Sequence, residues 1–285
     1  MIPDIDRIVY ETAAVRLGAF RCPATHPSFT DSGPIQDHCF VFPRTPVVIQ
    51  HRDERPFAAD PTLVTLYNKG QEYRRQPISP AGDHCDWYAI SDRLLRDALS
   101  AYDPRAADEP TRPVRFAFAP IDAGTYLAQR EFFARMSQDV VRDPLFFEEA
   151  VVGFLDRVLA GAYAAAPQTS PRAARTIAHD ACALIGRRFT EPLTLAAIAA
   201  GIDTSLFHLC RSFRCATGTT LHEYRNQLRL RTALQRLEEG DADLSQLALD
   251  LGYSSHSHFT ACFRRAFGVT PSTARRRFRG SSATS

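Results

Sequence analysis

The segment Asp250–Pro271 reads DLGYSSHSHFTACFRRAFGVTP. It places His256 and His258 two apart, adds Cys262, and follows with adjacent Arg264 and Arg265. Three chemistries use such residues: a metal site built on the imidazoles, a thiol nucleophile with a histidine base, or contact with another polymer through the cations. A zinc site needs at least a third protein ligand, and none follows at suitable spacing. Which chemistry holds depends on where the side chains point. A second set lies near the front. FRCPATHPSF sets Cys22 and His26 four apart, and PAGDHCDWYAIS gathers Asp83, His84, Cys85, Asp86 and the single tryptophan, Trp87. A strand there would turn Cys85 and Trp87 into the core and leave His84 and Asp86 wet. Two alternatives stand beside that reading: a small-molecule pocket using Arg44, His51, His84 and Trp87, or a soft-metal or thiol sensor using Cys22, His26 and Cys85. A metal-dependent enzyme built on strands would need His-x-His, then Glu, then a later His. DHCF and IQHRDE do not supply them.

The elements that position these groups follow from length and pattern. A chain of 285 residues, 45% apolar, is comfortable for two domains with sizeable cores. The first residues are acidic and carry no long apolar run, and nothing approaches the roughly 18 apolar residues of a spanning helix. A cytoplasmic protein without a membrane partner is expected. Seven cysteines, odd in number and without C-x-x-C spacing, point to reduced thiols. The charge is unevenly spread. Residues 1–168 hold 18 Lys/Arg against 23 Asp/Glu, a net of −5, whereas residues 169–285 hold 16 Arg against 9 Asp/Glu, a net of +7. Only the back half is expected to meet a polyanion.

Residues 20–120 read as short strands punctuated by Pro and Gly, which predicts a small barrel or sandwich, with an exposed loop at 103–113. Helical spacing follows, with a break near Asp143-Pro144. Its apolar stripe is Phe132, Phe133, Met136, Val140, Phe146, Phe147, Val151, Phe154, Leu155 and Val158. The stripe serves either dimerisation or packing on the barrel. APQTSP at 166–171 has linker composition, and from Arg172 the chain reads as nearly all helix.

That helical region writes the same pattern twice. Thr194 caps a helix with Leu195, Ile198, Ala199 and Ile202 inward. After a turn at Asp203-Thr204, Ser205 caps a second helix with Leu206, Leu209 and Phe213 inward. Fifty residues later, Leu244, Leu247, Ala248 and Leu251 form the first face, Gly252 makes the turn, and Ser255 caps a helix that buries Phe259, Phe263 and Phe267. A long helix between them opens with a capping box, Thr220 to Glu223. These are two helix-turn-helix units.

The tandem pair, with LGY, SHF, FRRAFG and TP in order, resembles the DNA-binding domain of the AraC/XylS family of bacterial transcription regulators. The resemblance implies an α+β multidomain chain. A β-rich cupin-like sensory barrel would occupy 1–126, a helical dimerisation segment 127–165, a linker 166–172 and a double helix-turn-helix domain 173–279. It implies that each second helix enters a major groove, the two grooves lying roughly 34 Å apart. The implied base-facing positions are Phe207, Cys210 and Arg211, then His256, Ser257, Thr260 and Ala261. Ser205, His208, Arg214, Arg264 and Arg265 complete the DNA-contacting set, mainly on phosphates. The implied partners are double-stranded DNA, a small-molecule effector, a second copy of the chain, and RNA polymerase if the protein activates. No cofactor or catalysis is implied. The rival readings are a regulator that senses metal or thiol chemistry, an enzyme built on the front domain, and an interaction protein whose helices dock another protein.

Overall fold

The computed structural model describes residues 5–52, 54–137, 143–165, 172–240 and 243–280. The chain forms two compact units. One comprises Met1–Ile121 and Arg135–Ala166, the other Asp122–Ala134 and Pro167–Ser285.

The first unit is built on antiparallel strands: β1 (Asp6–Glu11), β2 (Val15–Cys22), β3 (Asp31–Ser32), β4 (His38–Pro43), β5 (Val47–His51), β6 (Phe57–Ala59), β7 (Leu63–Tyr67), β8 (Tyr73–Pro77), β9 (Asp83–Ile90) and β10 (Phe118–Pro120). They make a six-stranded sheet, β1-β2-β9-β4-β7-β10, and a four-stranded sheet, β3-β8-β5-β6. Cys22, Val41, Tyr67 and Cys85 of the larger sheet share a core with Val47, Ile49 and Ala59 of the smaller. The expected cupin-like β unit is therefore a pair of packed sheets. Gly18 pairs with Trp87 across β2 and β9, where a Cβ would lie 2.1 Å from the indole, so only glycine lets the ring lie flat.

The larger sheet is covered on both faces, which corrects one expectation. Helix α4 (Pro144–Ala165) lays Phe154 against Phe42 (6.3 Å between ring centres) and Tyr88 (6.2 Å). Tyr88, Asp86 and His84 share a strand face. His84 and Asp86 are accordingly buried, at 6% and 0% exposure, and not wet. The strand-and-turn reading of 20–120 also needs correction. A cap at Ser91 starts α1 (Asp92–Ser100), and a short α2 (Pro104–Ala107) with Pro at its start lies inside the expected loop. Strands begin earlier than expected, at Asp6.

Helix α3 is described over Ala123–Ser137, and α4 starts at Pro144 after the non-helical Asp143, where a break was expected. Phe132, Phe133, Met136, Phe147, Val151, Phe154, Leu155 and Val158 are all buried within the chain. Phe146 is half-buried with the Arg135 guanidinium over its ring (5.0 Å), so most of the stripe packs internally; Val140 lies outside the described residues, as does the expected linker at 166–171.

The second unit continues with α5 (Arg172–Arg188), α6 (Leu195–Gly201), α7 (Leu206–Thr217), α8 (Leu221–Glu238), α9 (Leu244–Asp250), α10 (His256–Phe267) and α11 (Pro271–Gly280). Its first core joins Ala181 and Ile185 to Ile198, Leu209, Phe213, Tyr224 and Leu228. Leu195 and Leu206, expected inward, are about half exposed (46% and 50%). Each is the first residue after its cap, at the helix end and not within its packed length. Phe259, Phe263 and Phe267 form an aromatic stack with ring centres 5.7 and 4.6 Å apart. Cutting Phe263 to alanine removes its middle member. Phe263→Ala should lower the stability of the second unit by about 3–5 kcal/mol. Denaturant unfolding checks this, and an unchanged midpoint would contradict the stack's role.

His51 carries a second expectation. It is 1% exposed, boxed by Phe57, Tyr67 and Tyr73, and among the described residues neither ring nitrogen has a hydrogen-bond partner. Glu54 lies 3.7 Å away, but it is engaged by Arg112. Burial, aided by the Arg112 charge, lowers the imidazole from 6.5 to about 4. The unfolded chain therefore takes up a proton below pH 6.5 that the folded chain refuses until about pH 4. Stability falls as pH drops through that window, by about 3 kcal/mol from this group. His51→Phe should flatten the dependence of unfolding free energy on pH there. Part of the slope will remain, because burial also lowers His38. Identical slopes for both proteins would refute the assignment.

Candidate nucleic-acid interface

Each helix-turn-helix unit is set by backbone chemistry at its turn. In the first, Thr194 Oγ1 accepts from Ala197 N (3.1 Å) and Ser205 Oγ accepts from His208 N (3.3 Å). Asp203 takes the left-handed conformation, φ +50°, which Asp tolerates better than most residues. In the second, Asp243 caps α9 and Ser255 Oγ accepts from His258 N (3.2 Å). Here Gly252 supplies the positive φ, +77°. The second turn is one residue longer, Leu251–Ser254 against Ile202–Thr204. Helices α7 and α10 then match in length and end on left-handed glycines, Gly218 and Gly268.

Those caps and the buried Leu209, Phe213, Phe259 and Phe263 fix the rotation of each helix. On α7 the outward residues are Phe207, His208, Cys210, Arg211 and Arg214, with Phe207 72% exposed. On α10 they are His256, Ser257, His258, Ala261, Arg264 and Arg265, with Thr260 half-buried beside His256 (3.5 Å). Ser205 is exposed at the start of α7. Every residue singled out for DNA contact thus lies on one of two helix faces. Neither helix carries an acidic residue. His256 and His258 occupy the first turn of α10, and His258 lies beside Ser254 (3.3 Å) and edge-on to Tyr253.

The unit also contains a clasp that sequence reasoning missed. Arg130 of α3, 1% exposed, donates from Nη2 (2.6 Å) and Nε (3.2 Å) to the Glu238 carboxylate at the end of α8. Arg277 of α11 pairs with Glu131 (3.0 Å), and Arg231 lies over the Tyr126 ring (5.3 Å). No local pattern joins positions more than a hundred apart.

The front candidates are not gathered in one place. Arg44 and His84 meet at 3.3 Å, and Arg21 reaches the same Nε2 at 3.2 Å. Trp87 packs on Gly18 and donates to Asp6 (2.6 Å). His51 lines a separate open groove of about 530 Å³ with Gln50, Arg52, Tyr73 and Arg74. Cys22 and Cys85 are buried, while His26 binds the Ser28 amide (3.2 Å). Among the described residues no three His, Cys, Asp or Glu side chains are placed to hold a metal ion, so Cys22, His26 and Cys85 are not assembled. The sensor expectation overlooked the buried pair Arg75–Asp83 (2.9 Å), which stands between the sheets with Phe20, Phe29 and Tyr73 around the guanidinium. Burial pushes the Cys85 thiol well above its ordinary range, which disfavours the reactive thiolate.

No helix among the described residues is long and apolar enough to cross a membrane. A family described as a helix-turn-helix domain matches residues 198–277. Regulatory protein SoxS of Escherichia coli strain K12 is 37% identical over 101 residues, 35% of this chain and 94% of SoxS. The transcriptional regulator ArgR of Pseudomonas aeruginosa is 36% identical over 104 residues, 36% of this chain and 32% of ArgR. A crystal structure of ToxT from Vibrio cholerae O395 aligns loosely over 94% of this chain and 100% of that one, with 15% identity and a TM-score of 0.37. Near-complete coverage of SoxS by the doubled, capped and basic helical unit assigns the chain to the AraC/XylS family of DNA-binding transcription regulators.

Proposed function

We propose that the protein is an effector-responsive regulator that sets α7 and α10 in successive major grooves on one side of its operator. The observation that carries this is the division of each recognition helix. Phenylalanine and leucine fill one side, and the other presents only neutral or basic side chains. The DNA-binding domain is taken as 173–279, with α3 clasped to it. Arg211 reads guanine through its fork to O6 and N7, and exposed Phe207 suits a thymine methyl. His208, Arg214, Arg264 and Arg265 hold phosphates. Ala261 offers little for hydrogen-bonded readout, so α7 carries more of the specificity than α10.

The β unit is the sensor in this reading. Its open groove of about 530 Å³ is within the size range of small-molecule sites. Polar residues at its rim and aromatic ones beneath suit a small polar effector. A homodimer would use the outer side of α4, where Leu145 and Val152 are exposed, because the inner stripe is already occupied. RNA polymerase is a further partner if the protein activates.

Arg211→Ala should weaken specific binding by about 1–3 kcal/mol and relax preference at one base pair. Binding to a panel of single-base operator variants measures this, and a uniform loss on all sequences would make Arg211 a phosphate contact instead. The effector reading has a reciprocal test. A compound that changes DNA affinity must have its own affinity changed by the same factor when DNA is bound. Titrating the full chain with candidate polar metabolites, with and without operator DNA, reads both. Compounds that bind the β unit yet leave DNA affinity unchanged would count against a sensory role.

A further inference from the structure

We infer that Arg229 is a positioning residue that fixes the rotation between the two helix-turn-helix units, and so the half-site separation the protein accepts. The inference rests on both recognition helices docking on DNA. Arg229 is half-buried on α8, the helix that joins the units. Its Nε donates to Phe189 O (2.7 Å) and its Nη2 to Thr190 O (3.3 Å). Those carbonyls follow the end of α5, which packs against α7. Its Nη1 donates to Gly252 O (2.9 Å), the turn residue of the second unit. One guanidinium therefore holds the frame of the first recognition helix and the turn that launches the second.

The junction is built for close approach. A Cβ on Gly252 would lie 2.3 Å from Thr190 O and 2.4 Å from Arg229 Nη2, so only glycine admits the contact. The next residue, Tyr253, lies under the guanidinium at 5.6 Å and donates its hydroxyl to Asn226 Oδ1 (2.8 Å) on the same helix. Tyr253 N bonds Ala248 O, which ties α9 into the same knot. Burial and the neighbouring Arg225 lower Arg229 to about 10, so it remains a cation at neutral pH. Its hydrogen-bond acceptors are backbone carbonyls, which fix direction without neutralising charge.

Arg225, one turn earlier, is a built-in control. It donates to Phe189 O (2.9 Å), Leu193 O (3.5 Å) and Glu191 O, all on the first unit's side. It supports the end of α5 but has no hydrogen bond to the second unit's turn. A continuous helix such as α8 sets the distance between the units. Packing of α10 and α11 against buried Leu230, Leu234 and Leu237 of α8 sets the roll of the second unit about that helix coarsely, and Arg229 fixes it. One base pair inserted between half-sites rotates them by about 34° and shifts them by about 3.4 Å, which a fixed pair of helices cannot follow.

The experiment uses the full chain and a bipartite duplex selected in vitro by that chain. Variants of the duplex carry one base pair more or fewer between the half-sites. The unaltered protein should bind the altered spacings about ten-fold or more weakly, a loss like that of one or two mismatched pairs. Arg229→Met should bring that ratio to about three-fold or less by weakening the native spacing most, because the roll is released. Arg229→Lys, which keeps the charge but loses the fork, should fall between the two and guards against a methionine variant that does not fold. Arg225→Met should lower the melting temperature yet keep the full ratio. If both Arg229 variants keep the unaltered protein's spacing preference, Arg229 serves stability alone and the inference is overturned. If the unaltered protein has no spacing preference and protects only one groove, the two-groove reading fails first and takes this inference with it.

Discussion

The organisation of the DNA-binding unit depends on a single constraint: each recognition helix has one side it must bury. Leu209 and Phe213 on α7, and Phe259, Phe263 and Phe267 on α10, are almost wholly excluded from solvent. Burying them is worth several kcal/mol per helix, far more than any exposed contact on the opposite side. Once they are seated, the helix cannot roll, and the outward set is decided by 3.6-residue geometry. Ser205 and Ser255 then decide where each helix starts. A slip by one residue would exchange Arg211 for buried Ser212 on the outer side. The outward surface of each recognition helix is thus a by-product of the core.

This is also why the helical half is so legible in the sequence. Caps, capping box, turn positions and inward phenylalanines are local signals, and they repeat at a fixed offset. The turn expected at Asp203 is present, with Asp203 in the left-handed region, and the capping box at Thr220–Glu223 is formed. The β unit is less legible because its larger sheet is covered on both faces. Alternation assigns side chains to faces, but it cannot say whether the second face is wet. For β9 it is not, and His84 and Asp86 lie inside. Helix α1 escapes a pattern reading because nine helical residues between strands are short against the strand pattern around them. The pairing of Arg130 with Glu238 joins residues far apart in sequence, so no periodicity announces it.

Charge counting is right in sign and too simple in meaning. The excess of arginine in the second half reads as a surface for a polyanion. Several of those arginines are structural. Arg225 and Arg229 donate to carbonyls, Arg231 is 2% exposed, Arg236 pairs with Asp250 (2.9 Å), and Arg277 pairs with Glu131. The guanidinium suits these tasks because its planar fork satisfies two or three acceptors at once and stays ionised when half-buried. The exposed arginines of α7 and α10 are Arg211, Arg214, Arg264 and Arg265. A salt titration of DNA binding would therefore report fewer neutralised phosphates than the net charge implies.

Helix α3 is divided between the two units. Its first stretch, to Ala134, packs with the DNA-binding helices, and from Arg135 the chain belongs to the β unit. Arg130 is nearly fully buried against Glu238, and a buried cation that loses its carboxylate is costly by several kcal/mol. That penalty makes the clasp close to all-or-none. It holds while the paired charges stay together and is expensive to leave half-made. The clasp meets α8 at its C-terminal end, beyond Arg229, on the helix that carries both helix-turn-helix units. One ion pair therefore ties the first stretch of α3 to the helix that carries both helix-turn-helix units.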